Sequence, residues 1–217
     1  MNEAQVRHGV TTAYHEVGHR GLNAGSSGNV SHRTRNGMII TPSGCSADTL
    51  APEALVAMTL AGDVKGNATP SSEWAMHAAI YLAYPAAQCV VHTHADACTA
   101  LACLNEALPP FHYMVANFGG DDVRCAPYVT FGTPELARLA VAALAGRTAC
   151  LLADHGMIVH APTTDQALTN AIVLETLCRQ YLLARAAGAV RLLTADEMQA
   201  AHQRYQTYGQ SRAGGRL

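Results

Sequence analysis

The sequence predicts a layered α/β domain built around a largely antiparallel or mixed sheet. Three observations predict it. Helical periodicity opens and closes the chain while short β-branched runs fill its middle, so helices bracket the strands. Several of those runs face one another across turn residues, as hairpins do. No G-x-G-x-x-G follows a strand, which removes the dinucleotide-binding form of an α/β chain.

The elements follow in order. From Glu3 to Leu22 the apolar positions Val6, Val10, Tyr14, Val17 and Leu22 keep roughly helical spacing. A Gly/Ser/Asn-rich loop runs from Asn23 to Asn29. Val30–Thr34 and Met38–Thr41 then flank Asn36-Gly37, the strongest short hairpin signal in the sequence. Thr41-Pro42-Ser43-Gly44 closes the second strand in a turn, and Leu55–Leu60 reads as another strand. Ser71-Ser72-Glu73 predicts a helix start, with serine as cap and Glu73 in the first turn. That helix stops before Pro85. Gln88–His92 is a short β-branched strand, and a small helix covers Ala95–Leu104. Thr133 and Pro134 open a helix that ends near Gly146. Ala149–Ala153 and Gly156–His160 are strands around Asp154-His155. Thr164–Ala187 is a long helix stopped by Gly188, and Thr194–Tyr208 is the last.

With 217 residues, 49% hydrophobic and only 14% charged, the chain is expected to be one domain over 1–217, with a flexible tail after about 209. Disordered and collagen-like classes are excluded. Lys+Arg is 14 against 16 Asp+Glu, a net charge of −2, so neither nucleic acid nor an anionic membrane surface is the expected partner. An anionic ligand has to be held by local donors. Seven cysteines form no C-x-x-C pair, as expected of reduced thiols in a cytoplasm. The opening MNEAQVRHGV has no apolar core or small-residue cleavage pattern, so no signal peptide is expected.

Eleven histidines stand against one Trp and three Phe. His92 and His94 bracket a threonine at a strand end, where residues i and i+2 project to one face about 6.5–7 Å apart. His155 heads another predicted strand and can supply a third nitrogen. Three protein nitrogens with one labile position is the arrangement of a catalytic rather than a structural zinc. Each histidine taken singly is more often a hydrogen-bonded core residue; the H-x-H pair is what lifts these. His8, His15, His19, His77, His112, His160 and His202 lack such company and are read as surface or packing residues. Cys98 and Cys103 are read as buried free thiols. Glu73 offers a carboxylate, although from Ser71-Ser72-Glu73 alone a plain capping residue is the stronger reading.

Ser26-Ser27-Gly28-Asn29, Ser43-Gly44 and Ser71-Ser72 each join small hydroxyl or amide side chains to a glycine or a helix start. Outward backbone N–H groups there bind phosphate with little formal positive charge. Each alone is an ordinary turn or cap.

Taken in order, GLNAGSSGNVSHR, MIITPSG, PSSEWAMHAAIY, VVHTHADACTA, HYM with CAPYVTFGT, and ADHGMIV resemble the class II aldolase/adducin family, within it the L-fuculose-1-phosphate aldolase branch. The similarity runs from about residue 5 to 209. It implies a three-layer α-β-α fold with a central, mostly antiparallel sheet, and a cyclic homotetramer with the site at subunit interfaces. It implies Glu73, His92, His94 and His155 as metal ligands, for zinc or else manganese, cobalt or iron. It places phosphate on Asn29, Ser43, Gly44, Ser71 and Ser72, with Ser26 and Gly28 shaping the first loop. Positions 26 and 43 are often Thr in the fuculose enzymes; serine keeps the hydroxyl. Tyr113 matches a tyrosine that reaches a neighbouring subunit's site as proton donor or acceptor, and Phe131 an aromatic near the aldehyde portion. Tyr205 and Tyr208 resemble an aromatic pair closing over the site, with a register off by one.

The implied activity is a cytoplasmic, metal-dependent aldehyde-lyase. It cleaves a ketose 1-phosphate, fuculose-like or a 5-deoxy- or 5-(methylthio)ribulose 1-phosphate, to dihydroxyacetone phosphate and an aldehyde. Lys65, the only lysine, lies in a polar turn that suits no Schiff base. The family also contains a ribulose-phosphate 4-epimerase, a methylthioribulose-1-phosphate dehydratase and the adducin-type interaction module. Asp121 and Asp122 occupy the loop where the epimerase needs an aspartate. The adducin-type head lacks the metal histidines.

Overall fold

The computed structural model describes residues 1–207; Tyr208 and the tail expected after about 209 lie outside them. Helix α1 (Glu3–His19) leads into strands β1 (Asn29–Thr34), β2 (Gly37–Ile40), β3 (Val56–Met58) and β4 (Val64–Lys65). Helix α2 (Trp74–Ala83), strand β5 (Cys89–Thr93) and helix α3 (Asp96–Ala102) follow. Strand β6 (Cys125–Ala126), helix α4 (Pro134–Ala143) and strands β7 (Ala149–Leu152) and β8 (Gly156–Ala161) come next, before α5 (Thr164–Ala187) and α6 (Ala195–Thr207).

The strands form one sheet in the order β4-β3-β2-β1-β5-β8-β7-β6. All neighbours are antiparallel except the parallel pair β6–β7. Side chains alternate between faces along each strand. On β5, Val91 therefore packs into the core beneath α1, α3, α5 and α6, while Val90 packs beneath α2 and α4. Each such fully buried side chain contributes about 1.5–3 kcal/mol. The result is the expected three-layer α-β-α architecture with a mostly antiparallel sheet. Among the described residues no helix is long and apolar enough to cross a membrane.

Local chemistry explains most element ends. The Thr163 hydroxyl accepts from the Gln166 N–H to start α5, and Gly188 ends it. Thr133 caps α4 in the same way, with Pro134 at its first position. Helix α1 stops at His19, short of the expected Leu22. Gly21 is left-handed (φ +69°), and the N–H groups of Gly21 and Leu22 turn back to the carbonyls of Gly18 and Val17.

Three expectations need correction. The β1–β2 hairpin pairs Thr34 with Gly37, so its two-residue loop is Arg35-Asn36 and not Asn36-Gly37. Gly37 serves packing instead: a Cβ there would lie 2.0 Å from the Met58 carbonyl oxygen on β3. Lys65 sits on the two-residue edge strand β4 rather than in a turn. Of the two cysteines read as buried, Cys98 is buried but Cys103 is exposed.

Candidate metal centre

Sheet register decides what meets at the centre of the molecule. On β5, His92 shares the face of Val90, the face covered by α2, and it pairs across to Asn29 of β1 and Ile158 of β8. Glu73 stands at the N-cap of α2 rather than in its first turn. The Ser71 hydroxyl accepts from the Glu73 N–H (3.3 Å). The glutamate side chain is thereby left to reach the sheet. His94 lies just beyond β5, its N–H donating to Asn23 Oδ1 (3.1 Å). His155 ends the three-residue loop between β7 and β8, where Asp154 adopts the left-handed conformation (φ +53°). Short polar Asp tolerates that backbone better than other non-glycine residues.

The four side chains converge. Their ligand atoms all lie within 4.8 Å of one another. His92 Nε2 is 3.1 Å from Glu73 Oε2 and 3.0 Å from His94 Nε2, and His155 Nε2 is 3.2 Å from Glu73 Oε1. A tetrahedral ion with ligands at about 2.0–2.1 Å would hold them roughly 3.3 Å apart. His92 Nδ1 donates to the Met157 carbonyl (2.8 Å), which fixes the tautomer and aims the Nε2 lone pair inward. Glu73 Oε1 is buried and accepts no aligned hydrogen bond. A buried carboxylate oxygen without a donor, ringed by imidazole nitrogens, fits a divalent cation.

The electrostatics agree. Burial alone would raise the Glu73 pKa, but the His92 and His155 rings outweigh it and hold the carboxyl well below its usual range. Burial likewise works against a charged His92, and Glu73 overcomes this and raises it. His94 is pushed down to about 4 by burial and by the two other rings, which keeps it neutral and able to coordinate.

Above the cluster opens a cavity of about 670 Å³. Ser26, Gly28, Asn29, Ser43, Gly44, Ser71, Ser72 and Phe131 all line it with Glu73, His94 and His155, while His92 is buried behind. Gly28 and Gly44 are both left-handed, at φ +69°. The N–H groups of Ser43 and Ser71 already donate to the Thr69 and Thr41 carbonyls. Donors on the wall include the serine hydroxyls, the Asn29 side-chain amide and the backbone amides of Gly44 and Ser72, Ser72 standing just ahead of the positive end of α2. Among the described residues no Lys or Arg lines the cavity.

Two sequence-predicted residues are not brought there. Tyr113 opens a 3₁₀ turn (Tyr113–Phe118), stacks on His112 and is 55% exposed. It faces a separate groove that also includes Tyr205. Sequence reasoning missed Asn23, which ties the His94 backbone to the first loop, and Tyr128, an exposed aromatic beside Phe131 at the cavity mouth. Nothing in the local sequence marks Asn23. The CAPYVTFGT segment did contain Tyr128.

The family model described as "Class II Aldolase and Adducin N-terminal domain" matches residues 8–182. The chain belongs to the class II aldolase and adducin family. Among curated relatives, a Rhodospirillum rubrum protein named 5-methylthioribulose-1-phosphate/5-deoxyribulose-1-phosphate aldolase is 45% identical over 94% of this chain and 92% of its own. An Escherichia coli K12 relative named L-fuculose phosphate aldolase is 40% identical over 89% of this chain and 91% of its own. A solved structure titled L-fuculose 1-phosphate aldolase superposes with a TM-score of 0.89 at 35% identity, covering 93% of this chain and 96% of that one.

Proposed function

We propose that this chain is a metal-dependent aldolase that cleaves a ketose 1-phosphate to dihydroxyacetone phosphate and an aldehyde. The observation that carries this reading is the Glu73–His92–His94–His155 cluster on the floor of a cavity walled by hydroxyl and amide donors. Retro-aldol cleavage leaves negative charge where the C–C bond was, and Lys65 on the edge strand supplies no Schiff base to take it up. When bound at the four ligands, a divalent cation, zinc in our reading with manganese, cobalt or iron as candidates, supplies Lewis acidity to that charge.

The chain's own residues do the rest. The hydroxyls of Ser26, Ser43, Ser71 and Ser72, the Asn29 amide and the Gly44 N–H hold the phosphate, with Gly28 setting the loop. Tyr113 of a second copy of the chain takes the proton from the C4 hydroxyl, so that C3–C4 breaks and the aldehyde leaves. Glu73, ionised at rest, takes up a proton from water and passes it to C3, so the proton gained at C3 balances the one given up at the C4 hydroxyl. The exposed place of Tyr113, away from its own chain's cavity, supports this sharing and hence a homotetramer with sites between subunits. A cytoplasmic setting goes with the same reading.

The cavity mouth supports a narrower substrate class. Tyr128, Val129 and Phe131 give the aldehyde end apolar surface and, among the described residues, no cation. That favours 5-deoxyribulose or 5-(methylthio)ribulose 1-phosphate over the more hydroxylated fuculose 1-phosphate. The test is to incubate metal-loaded protein with a panel of ketose 1-phosphates and assay dihydroxyacetone phosphate. Release from the deoxy and methylthio substrates is expected. An inverted C4 centre or loss of water without dihydroxyacetone phosphate would reassign the chain to the epimerase or dehydratase activity. A protein that takes up no metal and turns over nothing would point to an adducin-type module.

A further inference from the structure

Behind the metal centre, β1 and α2 are joined by a ladder of buried polar groups. On β1, Asn29 and Ser31 are two residues apart and face α2; on α2, Glu73, His77 and Tyr81 are spaced by four. Two strand residues advance about 6.8 Å and four helical residues about 6.0 Å, so the two series stay in step. The rungs are short. Asn29 Nδ2 donates to Glu73 Oε2 (3.0 Å), and Asn29 Oδ1 lies 2.5 Å from His77 Nε2. His77 Nδ1 is 2.7 Å from Ser31 Oγ, which is 2.8 Å from the Tyr81 hydroxyl. All five side chains are buried.

The carboxylate fixes the direction of every rung. Glu73 accepts only, so Asn29 must turn its NH₂ to Glu73 and its oxygen to His77. His77 must then carry its proton on Nε2 and accept at Nδ1 from the Ser31 hydroxyl, which in turn accepts from Tyr81. Burial, aided by the nearby His92, pushes the His77 pKa down to about 3, so the ring stays neutral with one donor and one acceptor.

We infer that His77 is a positioning residue: by donating from Nε2 to the Asn29 oxygen it holds the amide in place with its NH₂ on Glu73 Oε2, and so steers that carboxylate oxygen toward the metal nitrogens. Without that donor the buried Asn29 oxygen is left unpaired, and the amide can swing away and take its NH₂ off the carboxylate. The inference rests on the metal reading of the site, and its test separates the two.

The test titrates Co²⁺ into the metal-free full-length protein and follows the visible ligand-field spectrum and the affinity. Wild type that binds no Co²⁺ removes the site reading itself. His77→Gln places an amide donor where Nε2 stood and keeps the rung to Asn29. His77→Asn places it near Nδ1 and loses that rung. Co²⁺ affinity within about threefold of wild type is expected for His77→Gln, and a loss of about ten- to hundredfold with an altered spectrum for His77→Asn. A ring that matters only for packing would make the two variants alike; equal affinities overturn the inference. Should His77→Asn fail to fold, selective ¹⁵N-histidine labelling of metal-free wild type decides, with the His77→Gln protein providing the assignment. A proton on Nε2 and none on Nδ1 at neutral pH is expected, and the opposite tautomer overturns it.

Discussion

Gly156 lies where the sheet meets the metal centre. It follows His155, and a Cβ built on it would sit 2.4 Å from the Thr93 carbonyl oxygen and 3.4 Å from the His94 Cα. Close carbon–oxygen contacts are about 3.3 Å, so Gly156→Ala must open the gap between β5 and β8 by roughly 0.9 Å. Thr93 stands between His92 and His94, so the opening separates two ligands from His155. Metal sites tolerate ligand displacements of about 0.2 Å. The expected loss of metal affinity is therefore at the upper end of the range for disturbed ligand support, about 100-fold. The strain itself costs about 1–3 kcal/mol, a fall of roughly 2–12 °C in melting temperature for a chain of this size. Melting in excess chelator isolates the strain, and isothermal titration with Zn²⁺ or Co²⁺ reads the affinity. Gly188→Ala, with nothing within 4 Å of the added methyl, is the control and should leave both unchanged. A Gly156→Ala protein that melts lower yet binds metal within threefold of wild type would refute the coupling between this contact and the ligand geometry.

The other expectations follow from single groups. Glu73→Gln exchanges a charged ligand and proton carrier for a neutral amide, so turnover should fall by at least about 100-fold even in the metal-loaded protein; full turnover with metal bound would remove Glu73 from the chemistry. Tyr113→Phe should slow cleavage without lowering metal content. Mixing it with Glu73→Gln protein should rebuild wild-type pairings at about a quarter of sites if each site takes Tyr113 from another copy, and no recovery would place both in one chain. Chelation followed by assay and re-addition of Zn²⁺ should abolish and restore dihydroxyacetone phosphate release. The neutral His77 also gives an acid limb to stability. Below its unfolded value of 6.5 the unfolded chain gains a proton that the folded ring refuses until about pH 3, so stability falls as pH falls. Between pH 7 and pH 5 this amounts to about 2 kcal/mol, and urea unfolding of His77→Gln should show the pH dependence reduced by that amount.

What could be read from the sequence was chemistry that acts between near neighbours. The bounds of α5 follow from a threonine hydroxyl and a glycine a few bonds away, and the Glu73, His92, His94 and His155 set is carried by short ordered motifs. The hairpin turn escaped because Asn36-Gly37 is a local preference that lost to packing: β3 approaches so closely that only glycine fits at position 37, which moves the turn back by one residue. Glu73 moved from first turn to cap for a similar reason, since its carboxylate is drawn into the histidine cluster rather than along the helix. His77 shows the limit most clearly. Alone on an apolar helix face it looks like packing, and its meaning exists only once β1 and α2 are set beside each other in one register. Tyr113 lies a step further out, because the place proposed for it in the chemistry depends on a second copy of the chain. The order of legibility thus follows the order of assembly, from turn to sheet to helix–sheet register, and a residue such as His77 that matters only at the last of these needs the structure to be recognised.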